Sequence, residues 1–296
     1  MRRLFFPAFL SVSLASLLAA APTPAAPTGG TLNPPQNLVP GTVPSRAATA
    51  SRPALLVEDP TKPSPVRSNA AGATNNGWIN THNQLVTKAK AGNIDLYMEG
   101  DSITDFWQKR FAANWNKNLG PWKPGDFGIS GDRTQNLLYR IANGELDGVN
   151  PKVIVLMIGT NNLAFNATYG MNSVEDTVKG VKAVIDALRE KAPKAKILLI
   201  AIMPRNDSGK TPPAAEMWQD INKTNEAIAK FADDKTIKFL NFNDKLADKD
   251  GKLFPGIMGG DNLHPADKGY QIWADAMKPI LTEWLGAPAP ASAPAP

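Results

Sequence analysis

The chain has 296 residues, enough for one large domain with tails, carries a formal charge of +5 and contains no cysteine. The absence of cysteine excludes a thiol nucleophile, a thiolate metal site and a lipid-modified cysteine. The positive excess comes from Arg2, Arg3, Arg46, Arg52, Lys62 and Arg67, set against Glu58 and Asp59, so the rest of the chain is close to neutral; this speaks against a nucleic-acid-binding domain, where basic residues gather on the fold itself.

Residues 1–21 read as a secretory signal peptide: Arg2 and Arg3, an apolar run over 4–18, then Ala19, Ala20 and Ala21. That run is short for a membrane span and Pro7 interrupts it. A secreted or periplasmic protein is therefore expected, with no stable membrane insertion after cleavage. Residues 22–73 are rich in Pro, Ala, Thr and Ser, bury little apolar surface and read as a disordered linker. Residues 287–296, an alternation of Ala and Pro around Ser292, read as a tail of the same kind. The folded domain is expected over 74–286.

Within that domain apolar runs alternate with helical patterns. Strands are predicted over 94–99, 127–129, 153–158, 197–203 and 237–240, the third being a continuous apolar run closed by Gly159. A helix is predicted to open at Ser102 and run through Asp105 to Arg110. Another follows Ser173, with Val174, Val178, Val181, Ile185 and Leu188 at helical spacing, Asp176 in a capping arrangement and Pro193 past its end. Met217, Ile221, Ile228 and Phe231 form a third stripe. Trp273, Met277, Ile280 and Trp284 form a fourth, with Pro265 placed in its first turn. Strands alternating with helices predict an α/β fold, a parallel sheet covered on both faces. Ligands then sit outside the carboxyl ends of the strands, where the chain carries Gly-Asp-Ser, Ser-Gly-Asp-Arg and Gly-Thr-Asn-Asn.

The chain has two histidines. His82 lies in a polar stretch before the first strand. His264 lies in Gly-Asp-Asn-Leu-His-Pro, three residues after Asp261, a spacing that lets one turn of chain set a carboxylate against the imidazole; a surface cap fits the same spacing. A serine nucleophile needs such a base and such an orienting acid. Ser102, in Glu-Gly-Asp-Ser-Ile-Thr, opens a helix whose free N–H groups suit a developing oxyanion, and it equally fits a simple helix cap. Gly131, without a side chain, lets its N–H approach a bound oxygen closely, and Asn161 carries an amide donor; ordinary turn chemistry accounts for each as well.

Together, Gly100-Asp101-Ser102, Gly131, Gly159-Thr160-Asn161-Asn162 and Asp261-Asn262-Leu263-His264 resemble, in order, the four blocks of the GDSL or SGNH hydrolases. The likeness spans roughly residues 94–285. Asn162 departs from the Asp that many members carry. Phe127-Gly128-Ile129, Asn161-Asn162 and Met203-Pro204-Arg205 place it nearest the branch that resembles platelet-activating-factor acetylhydrolase catalytic subunits, which includes exported bacterial carbohydrate acetylesterases. The resemblance implies a three-layer α/β/α fold with a five-stranded parallel sheet (flavodoxin-like). It implies a serine esterase acting on short acyl, chiefly acetyl, esters of carbohydrate, with a lipid acyl hydrolase of lysophospholipase or thioesterase type and a noncatalytic polysaccharide-binding module as alternatives. It implies Ser102 as nucleophile, His264 as base, Asp261 as its orienting acid, and Ser102 N–H, Gly131 N–H and the Asn161 amide as the oxyanion hole. No metal or cofactor is implied. Asp101, Asp132 and Arg133 are expected to be positioning charges. Arg205 is expected either to face the pocket or to pair with an acid. Trp107, Trp115 and Trp122 are expected in the core, with a sugar platform as the alternative.

Overall fold

The computed structural model describes residues 58–68, 73–166, 168–206 and 214–288. The expected leader over 1–21, most of the linker over 22–73 and most of the tail over 287–296 lie outside the described residues.

Five strands, β1 (Leu96–Gly100), β2 (Pro124–Gly128), β3 (Val153–Met157), β4 (Lys196–Ile200) and β5 (Ile237–Leu240), form one sheet in the order β2-β1-β3-β4-β5. Every pairing is parallel. Parallel strands need crossovers, and the crossovers place helices on both faces. On one face, α2 (Ser102–Arg110), α3 (Ala112–Leu119) and α8 (Asp267–Leu285) cover Leu96, Met98, Val153, Val155 and Leu198 with Trp107, Trp115, Trp273 and Met277. On the other, α1 (Asn76–Ala91), α4 (Thr134–Ala142), α6 (Val174–Lys191) and α7 (Ala214–Ile228) cover Tyr97, Ile154, Leu156, Ile197 and Leu199 with Leu137, Ile141, Val181, Val184 and Leu188. A short helix, α5 (Thr160–Leu163), follows β3. The three-layer arrangement expected from the alternation is the one found. No helix among the described residues is long and apolar enough to cross a membrane.

Several local expectations shift. β1 begins later than residue 94 and includes Gly100; β4 stops at Ile200, so residues 201–203 run on past the ladder. The Ser173 hydroxyl accepts the N–H of Asp176, capping α6 as predicted. Pro265 lies before α8, outside its first turn. Trp107 and Trp115 are fully buried and Trp122 nearly so. The indole N–H of Trp107 donates to Asn114 Oδ1 and that of Trp122 to Gly286 O, while Trp115 packs edge-on against Trp107, so all three belong to the core and the sugar-platform alternative is set aside.

The segment Glu58–Ser68, expected to be linker, lies along the domain. Thr134 Oγ1 donates to Pro60 O, Asn136 Nδ2 to Ser64 O and Asn172 Nδ2 to Glu58 O. Its polar backbone is held by hydrogen bonds rather than by apolar burial, which is why composition read it as unstructured.

Sheet order places the site. The chain leaves β1 toward one edge and β3 toward the other, so a crevice opens between their carboxyl ends. Gly128 closes β2 beneath the first turn of α2: a Cβ there would stand 2.4 Å from Asp105 N and 2.7 Å from Asp101 O. Only glycine allows the turn bearing Ser102 to sit that close to the end of β2.

Candidate active site

Ser102 begins α2 immediately after β1. Asp101 caps that helix, its carboxylate accepting from Ile103 N at 2.9 Å, which sets the first turn and with it the position of the Ser102 side chain. Burial pushes the Asp101 carboxyl up to about 7, against the bond from Ile103 N.

His264 arrives from the loop before α8. Its Nε2 lies 2.8 Å from Ser102 Oγ and its Nδ1 lies 2.6 Å from Asp261 Oδ2. The other oxygen of Asp261 accepts the backbone N–H of His264 at 3.0 Å and of Leu263 at 3.1 Å. One carboxylate thus folds the turn and orients the ring that the turn carries. Slight burial pushes the Asp261 carboxyl up, but the bonds from the His264 ring and from the His264 and Leu263 N–H groups outweigh it and leave it at about 2. Phe106 packs on the His264 ring at 4.6 Å between centroids, one helical turn beyond Ser102. A hydroxyl, an imidazole and a carboxylate in series are an arrangement that can turn serine into a nucleophile.

The two remaining blocks flank Ser102. Gly131 has φ +85, in the left-handed region, in an exposed loop where a Cβ would meet nothing within 4 Å; its glycine is there for conformation, not for space. Asn161 is the second residue of α5, just after β3, and its Nδ2 donates to Asp132 O at 2.9 Å. The structure therefore brings Ser102, His264, Asp261, Gly131 and Asn161 to one place. Asn162 faces away and is fully buried. Its Oδ1 accepts Thr134 N and its Nδ2 donates to Asn172 Oδ1, a donation that an aspartate cannot make.

The expected positioning charges take distinct places. Asp132 turns inward, with Trp78 Nε1 donating to it and Arg140 Nε 2.8 Å from its Oδ2. Arg133 pairs with Glu58 at 2.7 Å and lies 3.8 Å from the centre of the Tyr169 ring. Arg205 borders the pocket and donates to the carbonyl and hydroxyl of Thr160. His82 is buried against Trp78 and Glu145 on the far face, which leaves His264 as the histidine beside Ser102.

These groups open into a cavity of about 550 Å³. Its mouth carries Ser130, Asn166 and Asn262, and its walls carry Phe106, Phe165 and Tyr169. Of the wall residues, Phe165 and Tyr169 come from the segment after α5, which carries no sequence motif, and Phe106 from α2; all three escaped the sequence reading. Only the helical spacing of Phe106 to Ser102 signalled one of them.

Comparison with known proteins agrees with this geometry. The sequence pattern of the GDSL-like lipase/acylhydrolase family matches residues 99–272, more than half of the chain. The human platelet-activating factor acetylhydrolase IB subunit alpha1 is 29% identical over 240 residues, covering 79% of this chain and 96% of its own length. The rat alpha2 subunit is 29% identical over 204 residues, covering 69% of this chain and 81% of its own. Among solved structures, a GDSL-like lipase from Bacteroides thetaiotaomicron superposes with a TM-score of 0.56 at 22% identity, covering 68% of this chain and 97% of its own. An acetyl xylan esterase superposes with a TM-score of 0.50 at 25% identity, covering 64% of this chain and 100% of its own.

Proposed function

The chain belongs to the GDSL-like lipase/acylhydrolase family and is a hydrolase of esters, and we propose that it removes acetyl groups from carbohydrate by a Ser102–His264–Asp261 acyl-enzyme route. The observation that carries this reading is the unbroken chain of bonds, 2.8 Å from Ser102 to His264 and 2.6 Å from His264 to Asp261, at the wall of an open cavity. The carbohydrate assignment draws on the polar mouth of the cavity and on the acetyl xylan esterase neighbour. The acetyl assignment draws on the activity named for that neighbour and for the acetylhydrolase relatives. Export through the leader read over 1–21 brings the enzyme to polysaccharide outside the cytoplasm.

In the reaction, Ser102 Oγ bonds the acyl carbon as its proton passes to His264 Nε2. The carbonyl electron pair moves onto oxygen, which accepts hydrogen bonds from Ser102 N–H, Gly131 N–H and the Asn161 amide. Collapse expels the sugar hydroxyl, which takes the proton from His264, and leaves acetyl-Ser102. Water then attacks, giving a proton to His264; acetate leaves, and Ser102 regains its proton. Asp261 holds the ring tautomer throughout and stabilises the imidazolium.

Purified protein is expected to hydrolyse p-nitrophenyl acetate faster than the octanoate, to release acetate from acetylated xylan, and to lose both activities on Ser102→Ala. Activity that survives this substitution would falsify the nucleophile. Preference for octanoate would move the substrate to long acyl chains.

A further inference from the structure

Behind the candidate active site, a single buried guanidinium touches three of the segments that form it. Arg140, on α4, is fully buried. Its Nη1 donates to Phe127 O at 2.7 Å and its Nη2 to Gly100 O at 3.2 Å. Its Nε lies 2.8 Å from Asp132 Oδ2. Gly100 O ends the strand that delivers Ser102, Phe127 O lies in the strand leading to Gly131, and Asp132 follows Gly131 directly. The carbonyl of Asp132 in turn holds the Asn161 amide at 2.9 Å. All three proposed oxyanion donors are thus one or two links from one side chain.

The guanidinium sits among three buried carboxylates, which outweigh its burial and favour its charge. Glu99 and Glu145 also bond to it, and burial pushes both carboxyls upward. A folding core alone is served as well by apolar side chains of similar volume. What apolar side chains cannot supply is a planar fork with donors in several fixed directions. Trp78 Nε1, donating to Asp132 Oδ1 at 2.6 Å, fixes the same carboxylate from the other side.

We propose that Arg140, acting through Asp132, is a positioning residue that sets the oxyanion hole of this enzyme. The proposal rests on the assignment of Ser102, Gly131 and Asn161 made above. A lysine at this position keeps the charge but concentrates its donors at one point, so it cannot span Gly100 O, Phe127 O and Asp132 together.

The test is a cycle of Arg140→Lys, Asn161→Ala and the double variant, with kcat and KM on p-nitrophenyl acetate and a thermal melt for each. Arg140→Lys is expected to lower kcat by about 10- to 100-fold, as a small misplacement of reacting groups does, with KM within about threefold. Added to Asn161→Ala, it is expected to cost clearly less than it does in the parent, because one of the three donors it positions is already gone. A folded Arg140→Lys protein with unchanged kcat, or losses that multiply in the double variant, overturns the proposal. Should Arg140→Lys fail to fold, Trp78→Phe, which removes the other bond to Asp132 and keeps a ring in place, carries the same test: reduced kcat with held KM supports the proposal and unchanged kcat overturns it. Ser102→Ala run alongside shows separately whether the underlying nucleophile assignment stands.

Discussion

Replacement of Asn161 by alanine separates a catalytic amide from a structural one. Asn161 Nδ2 donates to Asp132 O at 2.9 Å and, at the long distance of 3.5 Å, to Asp101 Oδ2, and is partly exposed, so the fold loses one good hydrogen bond, one weak one and no core volume. Such a bond is worth about 0.5–1.5 kcal/mol net, which lowers the melting temperature of a domain of this size by a few degrees. An oxyanion donor acts on charge that exists only in the transition state, and its removal costs ~2.7–4 kcal/mol, or about 100- to 1000-fold in kcat. KM should hold within about threefold, because the ground-state ester carries little of that charge. Steady-state hydrolysis of p-nitrophenyl acetate, run beside a melt of the same preparation, reads both quantities. A kcat within tenfold of the parent, or a loss confined to KM, refutes the assignment of Asn161. A large fall in melting temperature with a matching loss of active protein assigns the amide to the fold instead.

Stability is expected to respond to pH through carboxyls that the fold shifts in opposite directions. Burial raises Asp101 and Asp126 from the ordinary 3.8 to about 7. Stability linked to these two is fully present below about 4 and is lost as pH rises through about 7. Asp261, lowered to about 2, works the other way: its contribution is present above about 4 and lost as pH falls toward 2. The melting temperature should therefore peak in mildly acidic buffer and decline toward pH 8; melts that rise steadily to pH 8 contradict this expectation. Glu58→Gln strips the ion pair from the buried Arg133 guanidinium, at a cost of about 1–3 kcal/mol, and should lower the melting temperature measurably. An unchanged melt shows that the Glu58–Arg133 pair contributes nothing to the stability of the domain. Gly128→Ala drives a methyl into the backbone of the first turn of α2 and should reduce kcat as well as stability, since the displaced turn carries Ser102. Full activity in this variant is incompatible with the close packing described.

The architecture was legible because parallel strands buried on both faces must be written as continuous apolar runs, and the run over 153–158 is such a signal. The candidate chemistry was legible because its residues sit where the chain leaves those runs and follow one another in family order; each block alone also fitted ordinary cap or turn chemistry. Asp261 and His264 needed no tertiary information to be paired: three residues and one turn bring them together. The closing of His264 onto Ser102, 162 residues away in sequence, was an inference from family order that only the fold made geometric.

The residues that escaped are those whose burial contradicts their polarity. Thr134, Asn136 and Arg140 are polar and carried no sequence signal, yet all are buried, because they exchange water for partners contributed by distant segments: Pro60 O, Ser64 O, Phe127 O and Asp132. Periodicity registers apolar burial, which is a property of each side chain alone. A buried polar group depends on a partner, and the partner is fixed only when the chain has folded. The sequence by itself therefore determined the sheet, its order of blocks and the candidate triad. Tertiary structure alone decided what holds Ser102, Gly131 and Asn161 in register, and that the pocket wall is fastened by Glu58.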